Sequence, residues 1–181
     1  GLQFKPMEFI ISGKYATILS VISYPKFINP GFLANLTNIS GVKVVAKHIP
    51  IEFSTLQSML NKEIADLKMR YQSERDQTIQ ERIRQDYESL ESFISMLAST
   101  QARIFDFQLH IMVAADSPEE LEMKKMQVRS YIDALGMRAV SLMFEQEKVL
   151  KSIIPIFPKQ DIENRIGTPI PSVTIAAMYP F

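Results

Sequence analysis

Few residues in this chain have a type and spacing that could do chemistry. Gly13-Lys14 resembles the end of a phosphate-binding loop, where backbone N–H groups cradle a phosphate and the lysine reaches it. That loop needs a glycine five positions before its second glycine and a Ser or Thr after the lysine. Glu8 and Tyr15 stand there instead, so the dipeptide reads as a tight turn. His48 and His110 are the only histidines. Both fall in strand-like stretches, with no spacing that pairs them as metal ligands. The acids of the long helical region (Glu63, Asp66, Glu81, Asp86, Glu88, Glu91) alternate with Lys and Arg, as a solvated helix face does. Cysteine is absent, which removes thiol nucleophiles, disulfides and cysteine-bound metals. No catalytic, cofactor-binding or metal-ligating residue is therefore assigned. The expectation is a fragment that is not an enzyme and uses no cofactor.

The elements that could position a site are more legible. Residues 8–12 and 14–24 are rich in β-branched and aromatic types, and Ser12-Gly13 between them reads as a hairpin turn. Asn29-Pro30 reads as the cap and first residue of a short helix, with Gly41 closing it. A strand follows over 42–51, with Val42, Val44 and Ala46 on one face and Lys43 and Lys47 on the other. From Ser54 to about Thr100 there is neither glycine nor proline. Ser54–Gln57 and Thr78–Glu81 read as two capping boxes. Leu56, Leu60, Ile64, Leu67 and Tyr71 form one helical stripe; Ile79, Ile83, Tyr87, Leu90, Ile94 and Leu97 form another. Two helices folded back as a hairpin would bury both stripes.

Residues 103–115 alternate most cleanly. Phe105, Phe107, Leu109, Ile111 and Val113 face one side; Asp106, Gln108 and His110 face the other, read as a polar, uncovered surface. Ser117-Pro118-Glu119-Glu120 starts a helix that Gly136 ends. A strand through Val140, Leu142 and Phe144 and a short helix over 148–154 complete the set. Five prolines between Pro155 and Pro180 suggest an extended connector. The fold class expected is α+β: a ferredoxin-like split βαβ antiparallel sheet, residues 1–155, with a helical hairpin at 54–100 inserted between its halves. Residues 156–181 form a Pro-rich connector.

Lys and Arg number 20, as do Asp and Glu. This balance argues against a free-standing nucleic-acid binder and gives no broad pull toward anionic membranes. The aromatics of 103–115 share the core face, so no RNA-stacking platform is expected. Met59, Met69, Met96, Met123 and Met126 either fill the core or form an adaptable partner surface. No apolar run is long enough to span a bilayer.

Several stretches, taken in order, carry a likeness to a known family. They are Gly13-Lys14-Tyr15 with Ser23-Tyr24-Pro25, Gly31-Phe32-Leu33, Ile39-Ser40-Gly41-Val42, the charged hairpin closing into Arg103-Ile104-Phe105, and Ala114 to Leu121 with Leu135-Gly136-Met137. The tail from Thr168-Pro169-Ile170-Pro171 to Tyr179-Pro180-Phe181 extends it. The chain resembles the N-terminal (CagE/TrbE/VirB) domain of type IV secretion and conjugative transfer ATPases, the family of the fourth VirB component. The resemblance implies a cytoplasmic motor, peripheral at the inner face of the cell membrane. Its Walker motifs would lie C-terminal to residue 181, and its N-terminal domain would dock onto inner-membrane components of the transfer machine. The partners implied are those components and the chain's own ATPase domain, with self-association as a further expectation. A free-standing ferredoxin-like regulatory or dimerisation module that binds a small ligand is the alternative.

Overall fold

The structure, a computed structural model, describes residues 1–25, 31–100, 103–163 and 167–171. It is a mixed α/β chain of two compact units, Gly1–Ile49 with Phe105–Phe181, and Pro50–Ile104. The strands are β1 (Leu2–Phe4), β2 (Phe9–Ile11), β3 (Lys14–Ser23), β4 (Val42–Pro50), β5 (Ile104–Ala115), β6 (Arg138–Ser141) and β7 (Thr168–Pro171). The helices are α1 (Phe32–Thr37), α2 (Phe53–Ser73), α3 (Gln77–Thr100), α4 (Pro118–Ala134) and α5 (Gln146–Ile153).

The seven strands form one sheet of order β1-β2-β3-β5-β4, with β6 also on β3 and β7 also on β5. The pairs β1–β2, β2–β3, β3–β5 and β3–β6 are antiparallel. β2 takes Lys14–Ala16 of β3, and β6 takes Leu19–Ser23 farther along the same strand. The turn at Ser12-Gly13 has positive φ at both positions, 51° and 81°. That matches the two-residue hairpin loop whose twist suits paired strands.

One sheet face is apolar, as the alternation of β5 requires. Phe107, Leu109, Ile111 and Val113 are buried there with Leu19 and Val21 of β3, Leu36 of α1 and Val128 and Ile132 of α4. Ser117 caps α4 by accepting from the Glu120 N–H (3.1 Å). The Glu120 carboxylate reaches back to the Asp116 N–H, one residue before the position a standard capping box would use. The Tyr131 hydroxyl donates to the Phe32 carbonyl (3.1 Å), tying α4 to α1.

The expectation of an uncovered second face is overturned. α5 and the segment after it lie on that face, where Val149, Leu150 and Ile162 pack on Phe9, Ala16 and Ile18. The 156–181 stretch expected to be a connector thus contributes Ile162 and Glu163 to the interior, and β7 to the sheet; residues 172–181 lie outside the described residues. β1 also goes beyond the sequence reading. β6 ends at Ser141 rather than continuing to Phe144, because Phe144 sits at φ 59°, three-quarters exposed, in the turn that leads to α5.

Three capping expectations also change. Glu52 precedes α2 with no side-chain cap, so Ser54 lies inside the helix. Asp76, not Thr78, caps α3, its Oδ1 accepting from the N–H groups of Thr78 (2.8 Å) and Ile79 (3.2 Å). Gly41 lies beyond the α1 C-cap, Asn38. Its φ of 78° and its approach to β5 explain the glycine: its carbonyl accepts from the Ala114 N–H (2.8 Å), and a Cβ would overlap the Ala114 carbonyl oxygen. The expected cap at Asn29-Pro30 lies outside the described residues.

Candidate functional site

The polar residues of β5 are not a wet surface. Gln108 and His110 are each about 1% exposed. Burial of such groups is costly unless hydrogen bonds replace water, and most of the replacements come from distant elements. The Gln108 amide donates to Asp106 (3.2 Å) and to the Glu163 carbonyl (3.1 Å). His110 Nδ1 is 3.0 Å from the Ser20 hydroxyl. Lys47, on the polar face of β4, donates to the Glu163 carboxylate (2.7 Å) and the Ser152 carbonyl (2.8 Å).

These groups set one another's charge. Burial, reinforced by the nearby Lys47 ammonium, pushes His110 down to about 4, although the Glu163 carboxylate acts in the opposite sense. The ring is therefore neutral near pH 7. Burial acts to raise Glu163, yet hydrogen bonds from Lys47 and from the Gln160 N–H, with the Lys47 charge, outweigh it and hold the carboxyl below its ordinary value. The cluster thus holds the Lys47–Glu163 ion pair, the Asp106 carboxylate that accepts from Gln108, and a neutral imidazole. That arrangement fastens the 154–163 segment to the sheet.

A related device closes a gap in the sheet edge. Between β2 and β6, Ile18 of β3 has no strand partner on that side. The Gln146 side chain takes the place, accepting from the Ile18 N–H (2.8 Å) and donating to the Ile18 carbonyl (3.2 Å). Beside it the Thr17 hydroxyl reaches the Met7 carbonyl (2.7 Å) and Ser141 (3.1 Å). Gln146 was not singled out from sequence, since its partner lies 128 positions away.

Lys14 of the phosphate-loop lookalike follows the hairpin turn and pairs with Asp116 (3.1 Å). His48 is exposed and stands edge-on to Phe105, ring centroids 6.2 Å apart. Among the described residues no three His, Cys, Asp or Glu side chains are grouped to hold a metal ion. No helix among them is long and apolar enough to cross a membrane.

The second unit offers a different kind of site. α2 and α3 run antiparallel, joined at residues 74–76. The tip is closed by Glu74, whose carboxylate accepts from the N–H groups of Arg75 (2.8 Å) and Asp76 (3.0 Å), and whose carbonyl accepts from the Gln80 amide (2.8 Å). Both predicted stripes turn inward, but unevenly. Leu56, Leu67, Ile83 and Leu97 are buried, whereas Leu60, Ile64, Tyr87, Leu90 and Ile94 are only half-buried and Tyr71 and Ile79 are exposed. Two helices alone cannot enclose an apolar stripe as wide as a core-facing helix carries. The remainder opens as grooves. One, of about 390 Å³, lies toward the tip between Leu67, Tyr71, Ile83 and Tyr87, with Lys68 and Arg84 at its margins. A smaller one, of about 90 Å³, lies toward the base between Phe53, Leu60, Ile94 and Ala98. The Lys68 ammonium stands 5.5 Å from the centroid of the Tyr87 ring.

Two comparisons with known proteins add no relative: no family model matches the chain, and no curated protein matches it.

Proposed function

We propose that this chain is a non-catalytic docking and assembly domain, the N-terminal part of a type IV secretion or conjugative transfer ATPase, and that the α2–α3 hairpin is its recognition element. The observation that carries the reading is the hairpin itself. It forms a compact unit of its own, Pro50–Ile104, and its inward stripes are left partly open. The burial of both faces of the sheet by helices of the first unit moves the docking role from the sheet, where the sequence also allowed it, to the hairpin.

The strand order supports the finer fold assignment. β3-α1-β4 places its two strands on either side of β5, and β5-α4-β6 places its strands on either side of β3. α1 and α4 pack on the same face. Two interleaved βαβ units of this kind make a ferredoxin-like split βαβ sheet, with the hairpin entering the chain between its halves. In the resemblance, such a domain precedes a Walker-containing ATPase domain and works at the inner face of the cell membrane, bound to inner-membrane components of the machine.

The test is a deletion in the full-length motor. Residues 58–95 are replaced by a short flexible linker, and transfer and ATP binding are measured. Transfer should be abolished while ATP binding survives. Wild-type transfer by the deleted motor would refute the hairpin's role.

A further inference from the structure

The two hairpin grooves open on one face. Gln57 and Asn61 line the lower groove, and Lys68 and Gln72 the upper. Their spacing of i, i+4, i+11 and i+15 places all four on a single stripe of α2. On α3, Arg84 and Tyr87 line the upper groove, Ile94 and Ala98 the lower. Their spacing of i, i+3, i+10 and i+14 is again one stripe. The hairpin therefore has one open apolar side, running about 29 Å from Phe53 to Gln72 at 1.5 Å per residue. That length matches a helix of about 20 residues. The charged side chains lining it are Lys68 and Arg84, both cations. Glu91, also on this side of α3, is engaged by the Tyr87 hydroxyl. Arg84 bridges Glu81 and Glu88 (2.6 and 2.7 Å), whereas Lys68 stands over the Tyr87 ring.

We propose that this face is the seat of one amphipathic helix from a partner protein, whose apolar side fills the groove and whose acidic side chains meet Lys68 and Arg84. The inference rests on the docking role assigned to the hairpin and adds the partner's class. A third helix encloses the half-buried residues Ile64, Leu90 and Ile94, as helix-in-groove recognition does through anchors at i, i+3, i+4 and i+7. Tyr71 and Tyr87 stand at the tip end of this face, where an anchor of the partner helix would meet them, and tyrosine is a residue type enriched at binding hot spots. Lys68 at the groove's margin, more than Arg84 held between Glu81 and Glu88, sets the partner's sign and orientation rather than its affinity.

The test uses the 181-residue chain and two synthetic helical peptides of 21 residues. Both carry leucine at i, i+3, i+4 and i+7 repeats; one is flanked by glutamates, the other by lysines. Calorimetric titration should give saturable binding of the glutamate peptide, with the lysine peptide at least tenfold weaker. The double substitution K68E/R84E should reverse the order, and Tyr87→Asp should weaken both peptides while the far-ultraviolet circular dichroism stays unchanged. Equal binding of the two peptides, or no binding of either, overturns the proposal. So does a dimeric chain by light scattering whose dimer is lost with Tyr87→Asp, because the face would then seat a second copy. If the hairpin deletion abolishes transfer yet neither peptide binds, docking stands and the helical partner falls. If transfer survives the deletion, the docking role itself falls.

Discussion

His110 gives the sharpest quantitative test of the buried second face. Its imidazole is held near pKa 4 against an ordinary 6.5, first by burial and then by the Lys47 charge. Between those values the unfolded chain binds a proton that the folded chain refuses. Folding stability must then rise with pH across the window, and fall on acidification from 6.5 toward 4. The full separation corresponds to about 3.4 kcal/mol at 1.36 kcal/mol per pH unit. From pH 7.5 to pH 5.0 the same linkage gives a loss of about 2 kcal/mol. Glu163, whose carboxyl is held below its ordinary 4.5, acts with the same sign but at lower pH, since its stabilisation is lost only as pH falls below 4.5. Urea unfolding of the wild type and of His110→Gln at pH 7.5 and pH 5.0 isolates the histidine. The variant should lose about 2 kcal/mol less than the wild type on acidification, whatever its stability at pH 7.5. The ring's proton signals, followed by NMR, should titrate near pH 4. A midpoint near 6.5, or equal acid losses in the two proteins, would show that the ring is solvated, and the account of α5 and the following segment as a cover over β5 would fail.

Three further outcomes are expected from urea unfolding. Gln146→Leu should cost about 2–4 kcal/mol, because it leaves the Ile18 N–H and carbonyl buried without their partner at a sheet edge; a loss below about 0.5 kcal/mol would mean that water replaces the amide. Gly41→Ala should destabilise by more than Gly13→Ala. Both have positive φ, which costs an ordinary residue about 1–2 kcal/mol, but only Gly41 abuts a carbonyl of β5, whereas Gly13 faces open space. Glu163→Gln should cost about 1–3 kcal/mol by removing the counter-charge of Lys47, and adding Lys47→Met should restore part of it; a second substitution that only adds to the loss would show that the two side chains are not coupled.

What the sequence made legible and what it hid divide along the range of the interactions. β5 could be read because a strand with one buried apolar face writes its alternation into five successive odd positions, Phe105 to Val113. The hairpin could be read because its stripes are local, even though the caps of both helices were each misplaced by two positions. The α4 start was visible for the same reason: Ser117, Pro118 and Glu120 lie within four residues and act on each other. The second face has no such local record. α5 is only eight residues long, and its anchors there, Val149 and Leu150, are too few to show a period. Ile162 lies in a turn with Glu163 directly after it, a stretch too short to show a period. Gln108 and His110 satisfy the polar side of an alternating pattern, and an alternating pattern cannot distinguish polar residues facing water from polar residues facing Ser20, Lys47 and Glu163. The information that separates the two cases is the presence of partners 90 and 55 positions away. Hydrogen bonds of this kind are directional, whereas apolar contacts accept many arrangements. A slip of β3 against β5 would part Ser20 from His110, and a slip of α5 would part Gln146 from Ile18, each leaving buried groups unpaired at a cost of about 1–3 kcal/mol apiece. The polar residues that looked like a solvated surface therefore help to fix the register of the sheet and the position of its cover. In the hairpin the seam is apolar instead: Leu60, Ile64, Leu90 and Ile94 stay half-buried, and grooves remain open between α2 and α3.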